Sequence, residues 1–103
     1  MATYVKAIKK SEMASGAKKT VVVAGKKIMI ANINGEFFAI DDACTHAGCS
    51  LGAEGILSGS TITCGCHAGQ FSATTGKVIT PPTTKDAKTY NVKVEGDDVL
   101  VLV

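Results

Sequence analysis

All four cysteines of this chain, Cys44, Cys49, Cys64 and Cys66, and both of its histidines, His46 and His67, fall between positions 44 and 67. Any fold the chain adopts has to present that window. Close-spaced soft ligands in a chain without the look of a secreted disulfide framework point to metal or redox chemistry. The 103 residues give room for one domain, since a domain usually takes roughly 100–200 residues. With 46% hydrophobic and 19% charged residues, the composition is that of a globular chain with one compact core. A core of this size is only marginally stabilising, so a metal site or cross-link adds proportionally more than in a large enzyme.

Around the window the chain reads as all-β. Short apolar runs rich in β-branched residues recur, and no helical period lasts beyond about two turns. Strands are predicted at Thr3 to Ile8, Thr20 to Ala24, Ile28 to Ile33 and Glu36 to Ile40. Gly25-Lys26-Lys27 is the turn between the second and third of these, and Asn34-Gly35 joins the third to the fourth. Asn-Gly is the strongest short hairpin signal, because both central residues of a type I′ turn need positive φ. Further strands are predicted at Thr61 to Thr63, Gln70 to Ser72, Lys77 to Thr80 after a Thr75-Gly76 turn, Tyr90 to Glu95, and Val99 to Val103 after Gly96-Asp97-Asp98. Single helical turns are expected at Glu12 to Ala14 and at Ala53 to Leu57. Between Ile40 and Thr61 strand signals vanish and glycine is dense, so the first Cys/His motif sits in a long loop, and such loops in compact domains usually carry function.

The two motifs are Cys44-Thr45-His46 and Cys64-Gly65-Cys66-His67. Structural zinc sites space paired ligands by two to four residues. A single residue between Cys44 and His46 suits a thiolate and an imidazole that bind different metals, hence a dinuclear centre. A structural zinc site, or unligated core Cys with solvent-facing His, is the plainer alternative. Plant-type ligation by four Cys would need a Cys three residues beyond Cys49, where the chain has Gly52.

Cys44-x-His46, a long spacer over 47–63, and Cys64-x-x-His67 resemble the signature of the Rieske iron-sulfur family. The likeness continues through Thr75-Gly76-Lys77-Val78, Pro81-Pro82 and the ending from Tyr90 to Val101, which look like the small soluble Rieske ferredoxins of bacterial ring-hydroxylating oxygenases. The resemblance implies an antiparallel β-sheet sandwich, a single Rieske domain over 1–103. Inserted in it is a cluster-binding subdomain of two ligand loops, at approximately 41–82. It also implies one 2Fe-2S cluster per chain, with Cys44 and Cys64 on one iron and His46 and His67 on the other, as His replaces Cys on one iron of Rieske centres. With neutral imidazoles the oxidised cluster is formally uncharged, whereas four thiolates would leave it doubly negative, so an added electron is easier to accommodate. The potential is expected to fall as pH rises through the ionisation of the ligand imidazoles.

In Rieske proteins of quinol-oxidising complexes, Cys at the positions of Cys49 and Cys66 form a disulfide between the ligand loops. That resemblance implies a Cys49–Cys66 bridge contributing about 3 kcal/mol; two free thiols are the alternative, since most oxygenase-type ferredoxins lack the bridge and cytosolic reduction works against exposed ones. The quinol-oxidising branch also has Ser at the place of Gly69 and Tyr at the place of Phe71. Losing those hydroxyl donors to sulfur should lower the potential. Gly65 stands for a common Pro and Ala68 for a common Gly. Pro81-Pro82 resembles a proline loop covering the cluster, or is a plain strand stop. Asp41-Asp42 reads as a solvated turn, with a docking patch as the sharper alternative, and Phe37, Phe38 and Phe71 read as core.

A net charge of +2 and the absence of Trp make nucleic-acid binding an improbable function. All eleven basic residues are Lys, so no guanidinium can clamp an anionic substrate. Seven Lys against Glu12 give residues 1–27 a charge of +6, and four acids with no Lys give residues 28–60 a charge of −4. The asymmetry is either a set of ordinary solvated faces or a dipole that orients a partner. No apolar stretch resembles a signal peptide or approaches the ~18 residues of a membrane span, so a cytoplasmic monomer without membrane contact is expected. The resemblance implies an electron carrier between a reductase and an acceptor enzyme such as an oxygenase, and no catalysis by the chain itself. The small subunit of a multi-component enzyme such as nitrite reductase is the second reading, and a zinc-stabilised interaction module the third. A bc-complex subunit is disfavoured by the lack of an anchor.

Overall fold

The computed structural model describes residues 3–42, 50–65, 69–80 and 86–103, with eleven strands in three antiparallel sheets among them. The first sheet has the order β1-β11-β10, from β1 (Tyr4–Lys9), β10 (Val92–Glu95) and β11 (Asp98–Leu102). The second runs β2-β3-β4-β9, from β2 (Lys18–Val23), β3 (Lys26–Ile33), β4 (Glu36–Asp41) and β9 (Thr89–Tyr90). The third runs β5-β6-β7-β8, from β5 (Ile56–Ser58), β6 (Thr61–Thr63), β7 (Gln70–Ser72) and β8 (Val78–Thr80). One 3-10 turn (Lys10–Glu12) and one short helix, α1 (Leu51–Glu54), complete the elements.

The second sheet separates two apolar cores. Successive side chains of a strand point to opposite faces, and β3 is buried on both: Ile28 and Ile30 pack with Ile8, Val99 and Val101, whereas Met29 and Ala31 pack with Leu51, Ile62, Cys64 and Phe71. β4 divides in the same way, Phe37 and Ala39 facing the first core and Ile40 the second. This explains why β3 reads as an almost unbroken apolar run, the signature of a strand covered on both sides. Its one buried polar residue, Asn32, is satisfied locally: Nδ2 donates to the Met13 carbonyl at 2.9 Å and Oδ1 accepts from Gly35 N–H at 2.9 Å.

Asn34-Gly35 forms the expected hairpin turn, with φ of 54° and 89°. Four expectations shift. The β2–β3 turn lies at Ala24-Gly25, where both residues take positive φ, leaving Lys26 and Lys27 free to pair in β3. The 3-10 turn spans Lys10–Glu12, not Glu12 to Ala14. The helical turn is at Leu51–Glu54, because the Ser50 hydroxyl caps it by accepting from Ala53 N–H at 3.1 Å, and Ile56–Ser58, read as helix or loop from sequence, is a strand held by pairing with β6. Finally, the strand expected at Tyr90 to Glu95 divides at Asn91: Tyr90 pairs with Ala39 of the second sheet and Val92 with Val101 of the first.

Candidate metal centre

Cys64 follows β6 directly. Ile62 and Cys64 are two residues apart, so both point inward, and Cys64 is 1% exposed in the core it shares with Leu51, Met29, Ile40 and Phe71. Its thiol is free. Cys64 N–H donates to the Gly69 carbonyl at 2.7 Å, which closes the stem of the segment 65–68. Gly65 packs on the end of α1, where an added Cβ would stand 2.0 Å from the Glu54 carbonyl oxygen. Only glycine permits that approach with the backbone where it stands.

The other segment, 43–49, leaves from Asp42 and returns at Ser50. Its stem is closed by Leu51 N–H donating to the Asp42 carbonyl at 2.7 Å. Asp42 N–H in turn donates to the Lys27 carbonyl at 3.1 Å, and Asp41 N–H to the Lys88 carbonyl at 2.9 Å. Asp42 is not a solvated turn residue: it is 1% exposed, and its Oδ1 accepts from Thr20 Oγ1 and from Gly52 N–H, both at 2.8 Å. Asp41 is half-buried and accepts from the Tyr90 hydroxyl. The reading of this pair as solvated fails because β2 and α1 close over Asp42 and supply donors to it.

Both stems therefore rise from one core. Leu51 at the end of the first and Cys64 at the start of the second belong to the same apolar cluster, and Gly65 rests on α1, which begins where the first segment returns. Of the six Cys and His, Cys64 is placed by the described residues. Cys44, His46 and Cys49 lie in 43–49 and Cys66 and His67 in 66–68, outside the described residues, as do Pro81 and Pro82. The Cys49–Cys66 bridge likewise falls outside them. A buried cysteine sulfur at the root of one loop, with Cys-x-His in the sequence of the other, is a donor set of sulfur and imidazole that fits a 2Fe-2S cluster of mixed ligation. Phe71 is fully buried in the cluster that holds Cys64, and Gly69 is buried beside the stem. Neither brings a hydroxyl to this core. Thr20 and Gly52, which hold Asp42, carried no signal in the sequence, since a strand threonine and a loop glycine are ordinary.

The family described as Rieske [2Fe-2S] domain matches residues 3–101. The biphenyl dioxygenase ferredoxin subunit of Pseudomonas sp. (strain KKS102) is 41% identical over 99 residues, covering 96% of this chain and 91% of that protein. Among solved structures, the ferredoxin of carbazole 1,9a-dioxygenase from Nocardioides aromaticivorans IC177 superposes with a TM-score of 0.91 at 28% identity, covering 96% of each chain. A chain in the complex of reduced oxygenase and oxidized ferredoxin in carbazole 1,9a-dioxygenase is 31% identical with a TM-score of 0.89, covering 95% of this chain and 91% of that one.

Proposed function

The chain belongs to the Rieske 2Fe-2S domain family, and from that membership we propose that it is a one-electron carrier, a ferredoxin component that delivers electrons to a terminal oxygenase and performs no catalysis itself. The observation that carries this reading is the near full-length likeness to a dioxygenase ferredoxin subunit. The Rieske-type cluster supplies a one-electron couple when bound. What the chain supplies is the holding of it. Cys44 and Cys64 are the thiolate ligands and His46 and His67 the imidazole ligands. The burial of Cys64 under Leu51 and Phe71 supports a sulfur-ligated iron shielded from water. Imidazoles are the ligands placed toward the partner, and each keeps a second ring nitrogen that can donate a hydrogen bond to it.

Residues 1–103 act as one Rieske domain, with the ligand loops carried by an insertion at approximately 41–82 whose core sheet is β5 to β8. The electron donor is a reductase, the acceptor an oxygenase, the working form a cytoplasmic monomer, and Cys49 and Cys66 are bridged across the loops. The Gly69 and Phe71 positions, without hydroxyls, support a potential below that of quinol-oxidising relatives. The test is anaerobic purification followed by iron and sulfide analysis and stepwise reduction. Equal iron and sulfide, a Rieske-type EPR signal on one-electron reduction, and transfer of that electron to a dioxygenase component support the reading. A zinc-loaded, iron-free protein overturns it.

A further inference from the structure

Among the described residues, the electron-carrier reading leaves one buried acidic side chain without a role, that of Asp42. Burying a carboxylate is costly unless its oxygens are bonded. Here the bonds come from two separate elements: Thr20 Oγ1 of β2 and Gly52 N–H of α1, each donating to Oδ1 at 2.8 Å. The Thr20 hydroxyl lies 3.2 Å from Ser50 Oγ, which itself caps α1, and Lys18 Nζ donates to the Gly52 carbonyl at 2.6 Å. An added Cβ on Gly52 would stand 2.0 Å from Thr20 Oγ1 and 2.9 Å from Asp42 Oδ1. The close fit leaves no room for any other residue there. Asp42 is the last described residue before the segment 43–49 and Ser50 the first after it, so one hydroxyl on the second sheet touches both ends of that segment.

We infer that the Thr20–Asp42–Gly52 cluster is a positioning device for the first ligand loop, with Thr20 and Asp42 as its positioning residues. Local hydrogen bonds would suffice to close a loop. The Leu51 N–H to Asp42 carbonyl bond already does so. The side-chain cluster adds a tether between that closed stem and β2, a strand of the middle sheet. Two points held to one sheet cannot shift independently of it, so Asp42 and Ser50, the described residues on either side of 43–49, are fixed relative to the core from which the stem of Cys64 grows. The inference rests on the ligand reading for Cys44 and His46 and concerns what holds them.

The test compares Thr20→Val, which keeps the branched shape and removes the hydroxyl, with Thr20→Ser, which restores it. Val101→Ala serves as a control for a general loss of stability, since Val101 lies in the other core. Each loaded protein is mixed with a strong iron chelator well below its melting temperature, and its reduced form is examined by EPR. Chelator attack follows the population of locally opened loop. Losing a hydrogen bond to a charged group should make Thr20→Val release iron about tenfold faster than wild type, with a shifted or broadened EPR signal. Thr20→Ser should return both to near wild type, and Val101→Ala should change neither. The inference is overturned if Thr20→Val releases iron no faster than Val101→Ala and keeps the wild-type signal. Cys44→Ser separates the two levels: if it loses the cluster while Thr20→Val behaves as wild type, the clamp alone fails. A Cys44→Ser protein that keeps the wild-type signal removes the ligand reading and the clamp with it.

Discussion

The Tyr90 hydroxyl donates to Asp41 Oδ1, and its ring lies 5.1 Å from the Lys88 ammonium. Burial, then the hydrogen bond to Asp41 and that carboxylate's charge, push its pKa up from 10.0 to about 12. The folded state thus keeps a proton that the unfolded chain releases first. The stability this contributes is whole below pH 10.0 and is lost as pH rises toward about 12. An ultraviolet titration of the folded protein should show a phenolate step near the raised value that is absent from Tyr90→Phe, and a Tyr90 step at the ordinary value would contradict the geometry. Gly65 is constrained sterically. Gly65→Ala has to move backbone at Glu54, and it should destabilise by about 1–3 kcal/mol, read as a lower denaturation midpoint with an unchanged slope. The candidate ligands stand out in the sequence because Cys and His at fixed spacings carry their chemistry with them. Asp42 was not, because its burial depends on Thr20, a residue far away in sequence that nothing in the local pattern connects to it.

At the scale of elements, the hairpins show which signals are local. Asn34-Gly35 specifies its turn unaided. Ala24-Gly25 adopts the same pair of positive φ angles with a residue that resists them, so the sequence points one residue too far along. Placing Asn at this exposed position makes the turn Asn-Gly, and Ala24→Asn is expected to stabilise the protein by about 0.5–1 kcal/mol in thermal or denaturant unfolding. A loss of stability would mean that the β2–β3 register differs from the one described. β5 was missed because Ile56-Leu57-Ser58 is three residues between glycines, too short for a period, and becomes a strand through its partner β6. The division of the last long strand at Asn91 is likewise a tertiary event: both halves have strand composition, and only the competition between two sheets for partners separates them.

For the whole molecule, the middle sheet links fold to site. β3 and β4 place one apolar face against the first sheet and the other beneath Leu51, Ile62, Cys64 and Phe71, so the two loop stems stand on a support covered on both sides. The β class was legible from short branched runs. The existence of two cores was not, since a run such as Ile28-Met29-Ile30-Ala31 announces burial on both faces without naming what lies on either. In the proposed centre, thiolates and imidazoles from two loops share one pair of irons. Pulsed EPR of the protein reduced by one electron tests it most directly, because nitrogen bound to iron leaves its own hyperfine coupling. Coupling from two imidazole nitrogens is expected, lost in part in His46→Ala and in His67→Ala. An iron-sulfur signal without nitrogen coupling, or the absence of iron from the anaerobically isolated protein, would contradict it.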